Sequence, residues 1–140
     1  MKRINLTLDT KAIGKARPRF TSRGKFVRTY SPKQNTDYEK LIRDCFVCVY
    51  GQEFKDYDGG VEVWINAYYT PPKSLSEKKK KELIGTPYLK KPDDDNIEKI
   101  IFDALNGVAY ADDCQIYINH TEKYYNEKDF VSIEIYYKDL

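Results

Sequence analysis

The chain has 140 residues, a length typical of one domain with a single hydrophobic core. No apolar run approaches the roughly 20 residues that a membrane-spanning helix requires, nothing near the start resembles a signal peptide, and three cysteines favour reduced thiols, so we expect a cytoplasmic protein without a membrane partner. The net charge of +2 hides an asymmetry, because residues 1–50 carry 12 Lys and Arg against 4 Asp and Glu, whereas residues 51–140 carry 12 against 18.

The basic part of the chain predicts a strand, a loop and a helix. Residues 4–9 alternate between apolar and polar side chains, which is typical of a strand. Residues 11–33 contain eight basic side chains, no acidic one and several Gly and Pro, so we expect a loop or hairpin that binds a polyanion. From Thr36 or Asp37 to about Gly51, apolar residues recur at helical spacing and indicate an amphipathic helix.

The acidic part begins with a strand and a short helix. Residues 61–69 alternate and are rich in β-branched and aromatic side chains, so they predict a strand. Ser74 and Glu77 form a capping-box pattern that begins a short helix ending near Gly85. The lysines at 78–81 fit a solvated face of this helix, with DNA contact as the alternative.

A further helix and two strands complete the predicted elements. Residues 96–106 carry one apolar stripe and stop before Gly107, which indicates an amphipathic helix. Residues 115–125 and 130–137 predict strands joined by a turn. The sequence thus indicates about four strands and two or three helices in an α+β domain.

Seven acidic residues and one basic residue lie between Pro92 and Asp113. Three consecutive aspartates, Asp93–Asp95, stand at the predicted N-terminus of the helix, where the helix dipole stabilises negative charge. A divalent cation would relieve their mutual repulsion. A helix about 16 Å long is followed by a segment that reaches up to roughly 23 Å, so Asp112 or Asp113 is able to return beside them.

Each of these acidic residues also has a structural interpretation. Asp95 with Glu98 fits a capping-box variant, and the Lys99–Asp103 spacing is that of an ordinary i,i+4 ion pair. The pair Asp112–Asp113 fits a turn. The joint occurrence of these features beside a strongly basic segment favours a functional site over three separate structural roles.

A zinc site is an alternative use of the cysteines. Cys45 and Cys48 have the C-x-x-C spacing, and Cys114 and His120 could complete four ligands. Because Cys45 lies on the apolar face of a predicted helix and Cys48 at its edge, small core residues are the better interpretation. His120 lies in a predicted strand and fits a structural role, and most of the 13 Tyr and 6 Phe are expected in the core or strands, with base stacking as the alternative.

Three motifs lie in and after the acidic segment. They are Lys91-Pro92-Asp93-Asp94-Asp95-Asn96-Ile97-Glu98-Lys99, Phe102-Asp103-Ala104-Leu105-Asn106-Gly107 and Asp112-Asp113-Cys114-Gln115-Ile116. Their composition and spacing resemble the signature of RusA-like Holliday junction resolvases. More loosely, Arg17-Pro18-Arg19-Phe20 and Tyr30-Ser31-Pro32 resemble the N-terminal region of the phage or prophage type.

The resemblance implies a single compact α+β domain over residues 1–140, with a mixed β-sheet of about four strands packed against two or three helices. It implies that Asp93, Asp95 and Asp113 are catalytic and hold Mg²⁺, with Lys99 as a supporting cation. Family members are homodimers that resolve four-way junctions by paired cuts. Asp94 adds a carboxylate at a variable position. We expect the basic segment to contact the DNA backbone through Lys15, Arg17, Arg19, Arg23, Lys25 and Arg28.

Two other functions fit the same residues. A non-catalytic DNA-binding protein would use the acidic cluster only for its structure, or would take a metal only for stability. A metal-dependent nuclease for flaps or forks would share the chemistry and differ in its substrate.

Overall fold

The computed structural model describes residues 2–16, 19–23, 26–30 and 33–138. Within these ranges, no helix is long and apolar enough to span a bilayer. The elements in chain order are β1 (Lys2–Leu8), β2 (Arg19–Arg23), β3 (Phe26–Tyr30), α1 (Lys33–Tyr50), β4 (Gly60–Tyr69), α2 (Glu77–Leu83), α3 (Asp94–Leu105), a 3₁₀ helix (Asp113–Gln115), β5 (Ile116–Tyr125) and β6 (Phe130–Lys138).

Four of the strands form one mixed sheet in the order β1-β6-β4-β5. Strand β6 pairs antiparallel with both β1 and β4, whereas β4 and β5 run parallel. Parallel neighbours require a crossover connection, and here helices α2 and α3 lie in it. Strands β2 and β3 form a separate antiparallel hairpin. The four-stranded mixed sheet and three helices confirm the predicted α+β fold.

The core lies on one face of this sheet, because alternate side chains of β1, β4 and β6 are buried there. Ile65 and Ile133 are two of these buried sheet residues. They belong to the same hydrophobic cluster as Ile42 and Phe46 of α1 and the apolar stripe of α3. That stripe consists of Ile97, Ile100, Ile101, Ala104 and Leu105. Its burial fixes which side of α3 is left facing outwards.

Helix α1 begins at Lys33, earlier than the predicted Thr36 or Asp37. The added first turn contains Asn35, whose side chain is buried although it is polar. Asn35 is hydrogen-bonded to the backbone of the segment before the hairpin. This tertiary contact compensates the burial of the amide, and helical periodicity alone does not reveal it.

The starts of α2 and α3 also differ from the predicted ones. The capping box at Ser74 is wrong, because Ser76 is the N-cap and its hydroxyl accepts a hydrogen bond from the backbone N–H of Lys79 at 3.3 Å. Helix α3 begins at Asp94 instead of residue 96, with Asp93 as N-cap. Two of the three consecutive aspartates therefore lie in its first turn, where the helix dipole stabilises them.

We expect Leu105→Ala to lower the free energy of unfolding by about 2–5 kcal/mol, because it leaves a cavity where α3 packs in the core. The matched control is Leu89→Ala, which truncates a leucine that is 87% exposed, whereas Leu105 is 0% exposed. The control should change stability by less than about 0.5 kcal/mol. Urea denaturation measures both values, and equal losses would contradict the placement of α3 in the core.

Candidate active site on helix α3

The segment before the basic hairpin lies directly against the start of α3. A Cβ atom added to Gly14 would stand 2.8 Å from Cβ of Pro92 and 3.0 Å from Cβ of Asn96. The next residue, Lys15, donates its backbone N–H to the carbonyl of Asn96 at 2.9 Å. Only glycine allows the chain at position 14 to come this close to the Cβ atoms of Pro92 and Asn96. The basic segment and the acidic motif are therefore held together at this point.

Asn35 of α1 holds the same segment from the other side. Its Oδ1 accepts a hydrogen bond from the backbone N–H of Ala16 at 2.8 Å, and its Nδ2 donates to the carbonyl of Gly14 at 3.2 Å. Residues 14–16 are thus fixed between the first turn of α1 and the first turn of α3. A groove of about 510 Å³ lies here, and its lining includes Lys11, Lys15, Lys91 and Asp93.

Lys99 and Asp103 lie one turn apart on the outward face of α3 and form an ion pair. Nζ of Lys99 donates to Oδ1 of Asp103 at 2.9 Å. This hydrogen bond raises the pKa of Lys99, and the charges of Asp103, Asp113 and Glu39 add to the effect. Lys99 is therefore a cation throughout the neutral and mildly alkaline pH range. The predicted i,i+4 pair is confirmed.

The second oxygen of Asp103 faces another lysine. Oδ2 of Asp103 lies 3.5 Å from Nζ of Lys15, and Lys15 also pairs with Glu39 of α1. The carboxylate of Asp103 thus stands between two ammonium groups from different parts of the chain. Glu39 was not predicted from the sequence, because nothing in the spacing of α1 distinguishes it from a solvated helix residue.

Asp112 and Asp113 are neighbours with different surroundings. Asp112 caps the 3₁₀ helix, since its Oδ1 accepts the backbone N–H of Cys114 at 3.1 Å and its own N–H donates to Oε1 of Gln115 at 2.7 Å. The first of these bonds lowers the pKa of Asp112. Gln115 in turn donates to the carbonyls of residues 57 and 59. The structural interpretation of Asp112 as a turn residue is confirmed.

The backbone of Asp113 is fixed, and its carboxylate forms no ion pair among the residues whose side chains the structure describes. Its N–H donates to Oδ1 of Asn106 at 2.9 Å. Partial burial raises the pKa of Asp113, and the hydrogen bond and negative charge of Asp112 raise it further, while Lys99 acts in the opposite direction. Asp113 therefore interacts electrostatically with Lys99 and Asp103, and its backbone is bound at the C-terminal end of α3. A position beside Asp93 and Asp95 stays a prediction.

The aspartates at the start of α3 make local hydrogen bonds among the residues whose side chains are described. Asp93 forms no side-chain cap, Oδ1 of Asp94 accepts the N–H of Asp95 at 2.9 Å, and Oδ1 of Asp95 accepts the N–H of Asn96 at 3.0 Å. The capping box of Asp95 with Glu98 is wrong, because Glu98 accepts a hydrogen bond from Thr121 at 2.7 Å. Asp95, Lys99 and Asp103 are each four residues apart and therefore share one helix face.

The carboxylates of Asp93, Asp95 and Asp113 suit a hard divalent cation in their chemistry, because Mg²⁺ prefers oxygen ligands. None of the three forms an ion pair with a lysine or arginine among the residues whose side chains the structure describes, 2–16 and 33–138. In the same part of the chain, no three Asp, Glu, His or Cys side chains lie close enough together to hold a metal ion. A three-carboxylate metal site remains a prediction.

The residues predicted to contact DNA are placed in part. Arg19, Arg23 and Arg28 lie in the β2–β3 hairpin. In the register of the two strands, Arg28 stands opposite Thr21 and Arg19 opposite Tyr30. Arg17 and Lys25 lie outside the described residues. Lys15 is described, and its ammonium group faces two carboxylates.

A zinc site finds no support in the described ranges. Cys48 and Cys114 are exposed, and only Cys45 packs partly against the core. The expectation that Cys48 is a core residue is therefore wrong, because it falls on the solvent side of α1. His120 stacks on Trp64 with ring centroids 3.9 Å apart, which agrees with a structural role.

Comparison with known proteins identifies the family. Residues 9–136 match the model of the family described as Endodeoxyribonuclease RusA. The chain is also 30% identical over 136 residues to the uncharacterized protein YqaN of Bacillus subtilis (strain 168), and the match covers 94% of each chain. The family match begins just after β1, ends two residues before the end of β6 and includes every predicted site residue. The chain therefore belongs to the RusA family of endodeoxyribonucleases.

Proposed function

We propose that the protein is a Mg²⁺-dependent homodimeric endonuclease that resolves four-way DNA junctions by paired phosphodiester cuts. The observation that carries the proposal is the face of α3, where Lys99 pairs with Asp103 and interacts electrostatically with Asp113. Asp95 shares this helix face. A groove with lysines in its lining opens at the start of the same helix.

A phosphodiester resists hydrolysis because its negative charge repels nucleophiles and its alkoxide leaving group is poor. Mg²⁺ held by Asp93, Asp95 and Asp113 would supply charge neutralisation and a more acidic water molecule. Mg²⁺ is commonly held by one or two carboxylates together with substrate phosphates. Such shared ligation is compatible with three carboxylates that do not form a complete site by themselves.

Lys99 is the cation of this site. Its raised pKa keeps it protonated, so it acts as a hydrogen-bond donor and not as a general base. Its side chain is 61% exposed, which leaves the ammonium group accessible to a phosphate. A lysine in this position stabilises the charge that develops on the phosphate or on the leaving oxygen. Asp103 orients it through the hydrogen bond at 2.9 Å.

The basic hairpin would bind the flanking DNA backbone, because phosphate contacts supply most of the affinity that does not depend on sequence. The hydrogen bonds of residues 14–16, here called the clamp, keep the segment before the hairpin beside α3. A four-way junction has approximate two-fold symmetry. A C2 dimer would present two identical sites to it, one for each of the paired cuts.

We expect Asp95→Asn to slow cleavage of a four-way junction by at least about 100-fold while junction affinity stays within about twofold, because the substitution removes metal-binding charge but not the basic surface. The measurement is single-turnover cleavage with Mg²⁺, against an EDTA control, and binding without metal. The matched variant Asp94→Asn removes the same charge from the neighbouring position and should slow cleavage only a few-fold. Parallel loss of binding and cleavage by Asp95→Asn would instead identify Asp95 as structural.

Substrate choice is tested with the wild-type protein. We expect cleavage of a four-way junction to be faster than cleavage of a flap or a linear duplex of the same sequence, because only the junction matches two sites of a C2 dimer at once. Faster cleavage of the flap would support a flap or fork nuclease. Binding with no cleavage of any substrate would support a non-catalytic DNA-binding protein.

The hairpin is tested separately from catalysis. We expect Arg19→Ala and Arg28→Ala each to weaken junction binding and to lower the slope of log affinity against log salt by about one. The cleavage rate at saturating protein should stay unchanged. Arg3→Ala is the matched control, because Arg3 lies in β1 and pairs with Glu134 at 3.0 Å. An unchanged salt slope in the hairpin variants would exclude direct phosphate contact by these arginines.

A further inference from the structure

Lys15 is poorly placed to bind a phosphate, although it belongs to the basic segment. Its side chain is only 17% exposed, and its ammonium group lies between Glu39 and Asp103, which are 13% and 23% exposed. A cation that faces two carboxylates contributes little positive potential to the surface. The charge of Lys15 therefore acts mainly on Glu39 and Asp103.

The geometry links Lys15 to Lys99 through one carboxylate. Oδ1 of Asp103 accepts from Lys99 at 2.9 Å, and Oδ2 lies 3.5 Å from Lys15. A carboxylate that interacts with two cations holds each of them less strongly than it would hold one alone. Lys15 thus competes with Lys99 for the negative charge of Asp103.

The backbone of Lys15 is fixed, so this competition does not depend on a mobile loop. Its N–H donates to Asn96 at 2.9 Å, and the adjoining residues are hydrogen-bonded to Asn35. Gly14 lies too close to Pro92 and Asn96 for a side chain to fit. The side chain of Lys15 therefore extends from a defined point towards Asp103, and Glu39 on α1 balances its charge.

We propose that Lys15 is a positioning residue for Lys99, a role that rests on the proposed function. By taking part of the charge of Asp103, Lys15 keeps the ion pair of Lys99 weak enough for the ammonium group to transfer to a DNA phosphate. Glu39 maintains Lys15 in this place. The competing explanation is structural: Lys15 would serve only to neutralise the partly buried Glu39.

The test compares a single and a double variant in single-turnover junction cleavage with Mg²⁺. Lys15→Met should slow cleavage about tenfold at saturating protein while junction affinity changes less than about twofold. The double variant Lys15→Met, Glu39→Gln also removes the charge that Glu39 would be left with. This variant should fold as stably as the wild type yet cleave as slowly as Lys15→Met. Lys40→Met is the matched control, because Lys40 pairs with Asp44 at 2.6 Å within α1 alone.

Two outcomes would overturn the proposal. Recovery of the wild-type rate in the double variant would show that Lys15 only neutralises Glu39. A loss of affinity without a loss of rate would show that Lys15 contacts DNA directly.

A second readout does not depend on cleavage, so it separates this proposal from the proposed function. NMR detects the ammonium protons of Lys99 in the protein without metal or DNA. In the double variant these protons should exchange with water more slowly than in Glu39→Gln alone, because the two proteins differ only at Lys15 and both oxygens of Asp103 become available to Lys99. Absence of cleavage by the wild type would refute the proposed function, whereas equal ammonium exchange in the double variant and in Glu39→Gln would refute the role of Lys15.

Discussion

The burial of the apolar stripe of α3 is the constraint on which the site depends. Ile97, Ile101 and Ala104 are fully buried in the cluster that includes the sheet and α1. A helix with one buried side has no freedom to rotate about its axis. Asp95, Lys99 and Asp103 must therefore face outwards together, and the hydrophobic effect indirectly orients the charged side chains.

Charge compensation differs among acidic residues that look alike in the sequence. Asp103 is held between two ammonium groups, and Asp112 is engaged by the backbone of its own 3₁₀ helix. Asp113, next to it, forms no ion pair among the residues whose side chains are described, and partial burial raises its pKa. A divalent cation would interact more favourably with Asp113 than with Asp103, whose charge Lys15 and Lys99 already balance.

The opposite charges of the two parts of the chain meet at residues 14–16. Gly14 allows close contact with Pro92 and Asn96. Asn35 forms hydrogen bonds with the backbone of residues 14 and 16, and the ammonium group of Lys15 pairs with Glu39. The segment that leads into the basic hairpin is therefore held against the start of α3, where the acidic motif begins.

The sequence by itself determined the element types, the basic and acidic segments and the motifs of the RusA family. Periodicity reveals α3 because burial of one helix face imposes a pattern of 3.6 residues on the chain. Spacing likewise revealed the Lys99–Asp103 pair, since residues four apart on a helix are neighbours. These features are local, so the order of residues was sufficient for them.

Only the tertiary structure decided how separate segments share their charges. The contacts of Lys15 with Glu39 and Asp103 join three segments that are distant in the chain. The spacing of residues in the sequence does not predict such long-range contacts. Sequence spacing also did not predict the burial of Asn35 in a helix that begins at Lys33. Nor did it predict the different surroundings of Asp112 and Asp113. Electrostatic interactions depend on distances in space and on burial, and both are set only when the helices pack on the sheet.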